Sequence, residues 1–131
     1  MRGRTKTDWW GVALDAPDAL ALARFYADLL GWPIAQQDAD EAAIAVPGTS
    51  SYLAFKTEPR YVPPVWPTAG GHQQMMMHLD IAVDDLAEAV AGAIELGATV
   101  AGPCRARAGH PRAAAGRRAG ALGASGHAGR R

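Results

Sequence analysis

The chain has 131 residues, with 13 acidic and 13 basic side chains and a single cysteine. This length suits one domain with a buried core. No apolar run reaches the roughly 18 residues of a membrane-spanning helix. The basic start lacks the apolar segment of a secretory signal. Cys104 has no internal disulfide partner, which suits a reducing compartment, and we predict a cytoplasmic protein.

The zero net charge conceals a division of the chain. Residues 1–101 carry all 13 acidic residues and six of the 13 basic ones, whereas residues 102–131 carry seven arginines and no acidic residue. The second segment is rich in Ala and Gly and has no Val, Ile, Phe, Tyr or Trp, so it lacks the residues that form buried strands. We therefore expect a domain over residues 1–101 and a separate tail.

Three interpretations of the 102–131 tail are open. A basic disordered arm would bind nucleic acid through its arginines, although no aromatic residues are interleaved with them. A solvated tail without a partner is the second interpretation. The third is a change of reading frame near residue 101, because Ala, Arg, Gly and Pro are the amino acids with GC-rich codons. We favour the third, so nucleic acid is not an expected partner.

The first half of the chain predicts one β-α-β-β-β unit. Alternating apolar residues from Trp9 onward indicate a strand, and residues 16–18 turn the chain into a helix. That helix ends at Gly31, which suits a left-handed cap, with Pro33 just beyond. Three short strands separated by turns follow. The predicted elements of this unit, which spans about 9–56, are a strand at 9–14, a helix at 18–30, and strands at 34–37, 42–46 and 52–56.

A proline-rich linker at 57–74 separates this unit from the next. A loop of this length is functional or disordered, and Tyr61 and Trp66 argue against disorder. We therefore predict that the linker also covers the mouth of a pocket.

A second unit begins at Met75, so the chain contains an internal repeat. Residues 75–83 alternate between apolar and polar side chains, which predicts a strand, and an amphipathic helix follows from Asp84 or Asp85 to Gly97. The helix should cover the apolar face of that strand, leaving His78 and Asp80 directed into whatever the sheet encloses. We expect a further strand at 98–101. The apolar face carries Met77, Leu79, Ile81 and Val83, and the polar face carries Met76, His78 and Asp80.

Two motifs resemble one known family. Residues 25–32 (FYADLLGW) resemble a helix end of the glyoxalase/bleomycin resistance/dioxygenase superfamily, also called vicinal oxygen chelate proteins. Residues 78–86 (HLDIAVDDL) resemble the opening strand of that family's second module. The resemblance extends over about residues 10–101 and is closest to small glyoxalase-like proteins of high-GC bacteria, including actinobacteria. It implies an α+β fold of paired βαβββ modules whose curled mixed sheet forms a cup for a small molecule, often over a divalent metal. Here the second module, at 75–101, is incomplete.

The resemblance also implies where metal ligands would lie: a histidine opening the first strand of each module and an acidic residue late in each. His78 matches the second-module histidine, but Gly11 occupies the first-module position. Residues 53–55 (LAF) supply no glutamate, and no acidic residue follows residue 110. His78 and Asp80 alone do not make a stable divalent site, which needs three or more protein ligands. We expect neither a metal nor another cofactor.

Six residues are candidates for the site. His78 and Asp80 are the catalytic candidates, and two roles are open for His78. It is either a hydrogen-bonded part of the pocket wall, which we favour, or a substrate contact or general base whose tautomer Asp80 sets. The ligand-binding candidates are Trp9, Trp66, Tyr61 and Met76.

These residues support three functional hypotheses. The first is a glyoxalase-like protein that binds a small molecule in a cup-shaped pocket without a complete metal site. The second is a metal-dependent lyase, isomerase or dioxygenase of the same superfamily, with part of the metal site supplied by a partner chain. The third is nucleic-acid association through the tail. Because an incomplete second module leaves an open sheet edge, we also predict a homodimer.

Overall fold

The computed structural model describes Arg2, Thr5 and residues 8–65 and 69–100. The α+β class is confirmed, and the chain divides into two compact units, one ending at Tyr61 and the other beginning at Val62. Neither described helix has the length and apolar character needed to cross a membrane. The elements are β1 (Gly11–Ala16), α1 (Ala19–Leu30), β2 (Ile34–Gln37), β3 (Glu41–Ala45), β4 (Tyr52–Thr57) and α2 (Leu86–Glu95).

The first unit is a four-stranded mixed sheet in the order β1-β4-β3-β2. β1 pairs with β4 in parallel, whereas β3 pairs antiparallel with both β4 and β2. The β-α-β-β-β order predicted from the sequence is confirmed, with strand bounds that differ by no more than two residues. The parallel pair joins the first strand of the unit to its last, so the sheet is complete only once β4 has formed.

Helix α1 begins and ends at the residues that the sequence predicts. The Asp18 side chain accepts a hydrogen bond from the Ala21 amide at 2.9 Å, and Gly31 ends the helix with φ of 66° in the left-handed region. A further cap comes from outside the helix, because the Thr57 hydroxyl accepts a hydrogen bond from the Ala19 amide at 3.1 Å. The end of β4 is thereby fixed to the start of α1.

The core of the first unit lies between α1 and one face of the sheet. Tyr26 of α1 stacks on Phe55 of β4 with ring centroids 5.6 Å apart. Alternate residues of each strand point to the same face, so one strand contributes every second residue to this core. Burial raises the pKa of the Tyr26 hydroxyl, with a smaller contribution from Tyr61. The buried apolar residues of this unit are Ala16, Ala19, Ala23, Tyr26, Ala42, Ile44, Leu53 and Phe55.

Helix α2 of the second unit also begins where the sequence predicts. The Asp85 side chain accepts hydrogen bonds from the amides of Ala87 and Glu88 at 2.9 and 3.1 Å, and Glu88 lies in the first turn, where a negative charge is favourable. Gly97 follows with φ of 103°. Ala93 is fully buried, whereas Ile94 of the predicted apolar stripe is 48% exposed.

The strands predicted in the second unit are wrong. Residues 75–83 and 98–100 have no strand partner among the described residues, and residue 101 lies outside them. In the first unit, β1 is held only by β4, the last strand of its module. By analogy, the first strand of the second module would need a fourth strand, and the sequence after residue 101 has no Val, Ile, Phe, Tyr or Trp with which to build one.

The side-chain alternation predicted for residues 75–83 is nevertheless present. Leu79, Ile81 and Val83 are half-buried, whereas His78 and Asp80 are exposed. Met77 departs from the pattern, since this residue is 42% exposed although the alternation predicts it on the apolar face. The segment therefore has the two faces of a strand but forms no strand hydrogen bonds with the described residues.

We expect Thr57→Val to destabilise the protein by about 1 kcal/mol, because the Ala19 amide loses its acceptor at the helix N-terminus. Urea denaturation followed by circular dichroism measures the free energy of unfolding. Thr99→Val is the matched control, since Thr99 is exposed and makes no hydrogen bond with the described residues. Equal stability of the two variants would show that this cap contributes nothing.

Candidate functional site

The sheet face opposite α1 carries a regular pattern of side chains. The pairing registers align β1, β4 and β3 so that three rows of three residues cross this face. Successive rows are two residues apart along each strand, or about 6.6 Å. The rows are Gly11, Tyr52 and Ala45; Ala13, Ala54 and Ala43; and Asp15, Lys56 and Glu41.

The first row carries one aromatic side chain, that of Tyr52. A Cβ atom built on Gly11 would overlap three atoms of the Tyr52 ring, so this ring lies over the glycine backbone. Trp9 lies beside it, with ring centroids 5.3 Å apart and planes tilted by 40°. Trp9 is 66% exposed. An aromatic surface open to solvent therefore covers the start of β1, and a side chain at residue 11 would disrupt it.

The middle row consists of alanines only, and Ala13 is exposed. Side chains this small leave a flat floor between the aromatic row and the charged row, which are about 13 Å apart along the strands. A planar group could lie on this floor in contact with the Tyr52 ring.

The third row is charged. Lys56 and Glu41 form an ion pair with a nitrogen–oxygen distance of 3.6 Å, and both side chains are more than half exposed, so the pair adds little stability. Asp15 is exposed and makes no ion pair or hydrogen bond with another described residue. Burial, and to a smaller extent the Asp15 carboxylate, raises the pKa of the Tyr61 hydroxyl. Tyr61 therefore stays protonated at neutral pH and can donate a hydrogen bond.

In the second unit, the two catalytic candidates lie close together. The Nε2 atom of His78 is 3.6 Å from an Oδ1 atom of Asp80, and the side chains are 48% and 60% exposed. The distance is longer than a good hydrogen bond but suits an ion pair when the imidazole is protonated. This approach can orient the imidazole ring.

The ligand-binding candidates have different surroundings. The Trp9 ring contacts the Tyr52 ring. Tyr61 is half-buried, and the charge of Asp15 contributes to the raised pKa of its hydroxyl. Met76 is 90% exposed, and Trp66 lies outside the described residues. In the linker, Val65 and Gln74 form a bridge, with the Val65 amide donating to the Gln73 carbonyl at 2.9 Å.

Sequence reasoning missed Tyr52, which contributes most to the aromatic surface. The signal that could have found it is a glycine on the exposed face of a strand, since such a glycine often marks close approach of another group. The sequence alone does not show that this group is Tyr52.

The metal that the superfamily often uses does not fit this donor set. Gly11 stands where the first histidine would be, and the Tyr52 ring fills the space that a histidine side chain would need. Among the described residues, no three His, Cys, Asp or Glu side chains are grouped as a metal site requires.

The sequence of the chain matches a known family. Residues 11–119 match the glyoxalase-like domain. The chain belongs to the glyoxalase-like domain family. The matched region runs past residue 101, where we placed the end of the domain, so both that boundary and the change of reading frame stay predictions. No curated protein sequence matches the chain.

Two solved structures are similar to this glyoxalase-like protein. One is a bleomycin resistance determinant encoded on the transposon Tn5, which is 24% identical, with 77% of this chain and 74% of that chain covered and a TM-score of 0.45. The other is an integron cassette protein from the mobile metagenome of V. cholerae, which is 17% identical, with 81% and 80% covered and a TM-score of 0.48.

We expect Gly11→Ala to displace the Tyr52 ring and to cost about 1–3 kcal/mol of stability, because the new methyl group overlaps that ring. Near-ultraviolet circular dichroism should lose part of the signal from the Trp9–Tyr52 pair. Gly70→Ala is the control, since open space surrounds Gly70. An unchanged spectrum in Gly11→Ala would mean that Tyr52 does not lie over residue 11 in solution.

Proposed function

We propose that this glyoxalase-like protein binds a small planar molecule on the exposed face of its first sheet, without a metal. The observation that carries the proposal is the Tyr52 ring lying over Gly11 beside the exposed Trp9. Aromatic rings stack on such surfaces in offset or tilted arrangements. The alanine row gives the bound molecule a flat floor, so it needs no pocket deeper than the sheet face itself.

The charged row defines the other end of the proposed ligand. In this row Lys56 lies between Asp15 and Glu41, and its ion pair is with Glu41 at 3.6 Å, whereas Asp15 makes no ion pair with another described residue. The Asp15 carboxylate and the protonated Tyr61 hydroxyl offer an acceptor and a donor. A ligand that reaches from the Trp9–Tyr52 pair to this row would be about 13 Å long.

His78 and Asp80 are the second part of the proposal. We keep them as candidates for a ligand contact or a general base, supported by the 3.6 Å approach of the imidazole to the carboxylate. The metal-dependent lyase or dioxygenase remains the alternative, and Gly11 argues against it. Metal analysis of protein purified without a chelator distinguishes the two: the proposed site predicts no stoichiometric metal, whereas the metal-dependent alternative predicts about one metal ion per site.

Two flat three-ring probes of opposite charge, proflavine and anthracene-9-carboxylate, test the aromatic site. We expect saturable quenching of tryptophan fluorescence by at least one of them. Trp9→Ala should weaken binding by roughly three- to tenfold, because one stacking contact of about 0.5–1.5 kcal/mol is lost. Calorimetry should measure the variant's affinity, since the substitution removes the fluorophore.

Trp10→Ala is the matched control for that experiment. Trp10 is the neighbouring tryptophan, is 54% exposed and has no ring contact with Tyr52. Its removal should leave the affinity unchanged. Equal losses in Trp9→Ala and Trp10→Ala, or no saturable binding of either probe, would contradict the proposed site.

We also propose that the protein is a homodimer. The support is the incomplete second module, in which residues 75–83 have the alternation of a strand but no strand partner among the described residues. Light scattering on the full chain at high concentration should give twice the mass of 13.7 kDa. A monomer throughout the concentration range would contradict this.

A further inference from the structure

We infer that residues 75–83 pair antiparallel with the same residues of a second copy, with Leu79 opposite Leu79. This inference rests on the proposed homodimer and specifies its interface. The aromatic site proposed on the first sheet is independent of this interface, whereas His78 and Asp80, the other candidate ligand contacts, lie within it.

The backbone of this segment pairs with no other described residue. None of its amide or carbonyl groups forms a backbone hydrogen bond with a described residue, although the segment alternates between half-buried and exposed side chains. A segment with the side-chain alternation of a strand, and with backbone donors and acceptors that no described residue pairs, is a template for another strand. An equivalent segment of a second copy supplies the same row in the opposite direction.

One register makes the segment complementary to itself. With Leu79 at the centre of an antiparallel pair, His78 of each copy faces Asp80 of the other. Met77 then faces Ile81, so the apolar rows coincide and the polar rows coincide. Opposite charges facing each other across two strands are stabilising, and this register contains two such pairs.

The alternative registers lose this match. A shift by one residue places apolar side chains opposite polar ones, because successive side chains point to opposite faces. Centring the pair on Asp80 brings two carboxylates together, and centring it on His78 brings two imidazoles together. A parallel pair in register brings together both the two carboxylates and the two imidazoles. Charge and polarity therefore favour the Leu79-centred register over the neighbouring registers.

The pairing is symmetric. An antiparallel pair of identical segments has a twofold axis through its centre, so each copy uses the same edge of the segment. One edge of each segment is thereby covered by the other copy.

Two single charge reversals test the register at mildly acidic pH, where free imidazole is protonated. His78→Asp places carboxylates opposite carboxylates, and Asp80→His places imidazoles opposite imidazoles. Each variant alone should weaken the dimer by about tenfold, since two favourable cross-strand pairs become repulsive. An equimolar mixture of the two variants should restore dimerisation, because the heterodimer again has opposite charges facing each other. Sedimentation equilibrium measures all three.

A disulfide test gives a second measurement in a Cys104→Ser background. Leu79→Cys should oxidise to a covalent dimer, because the two side chains face each other at the centre of the pair. Ala82→Cys is the control, since in this register the two copies of residue 82 lie about 20 Å apart. Wild-type monomers would overturn both the dimer and its register. A dimer that neither the charge reversals nor Leu79→Cys affects as expected would overturn the register alone.

Discussion

The parallel pairing of β1 with β4 is the contact on which the first unit depends. It joins residues about forty positions apart and completes the four-stranded sheet. It also brings the end of β4 to the start of α1, where Thr57 caps the helix. Each hydrogen bond of this pair makes a modest net contribution to stability. The pairing also fixes the register of the strands, and the register determines which side chains point to which face of the sheet. Burial of Phe55 against Tyr26 and the placement of Tyr52 over Gly11 are both consequences of it.

The same constraint explains the second unit. A module of this order holds its first strand only through its last, and the sequence beyond residue 101 lacks strand-forming residues. Residues 75–83 keep the two-faced pattern of a strand, while their backbone makes no ladder with the described residues. In the proposed homodimer, His78 of each copy faces Asp80 of the other, and the two segments would pair between copies.

The sheet face opposite α1 combines three kinds of surface. A glycine at residue 11 offers no side chain to a metal and at the same time admits the Tyr52 ring. The face carries an aromatic ring at one end, alanines in the middle and charged side chains at the other. Stacking and hydrogen bonding are the contacts that the proposed ligand would use there.

The sequence by itself determined the local structure of this glyoxalase-like protein. Asp18, Gly31 and Asp85 mark the helix ends because capping depends on neighbours within one turn, and the alternation of apolar residues placed the four strands of the first sheet. Family membership was also readable from short motifs. Tertiary structure alone decided the pairing of Gly11 with Tyr52 and the cap by Thr57, because both join residues that are close only once β1 and β4 have paired. Tertiary structure also decided that residues 75–83 form no ladder with the described residues. A strand exists only where a neighbouring strand pairs with it. The periodicity of the sequence shows which side chains share a face, but it does not show whether such a neighbour is present.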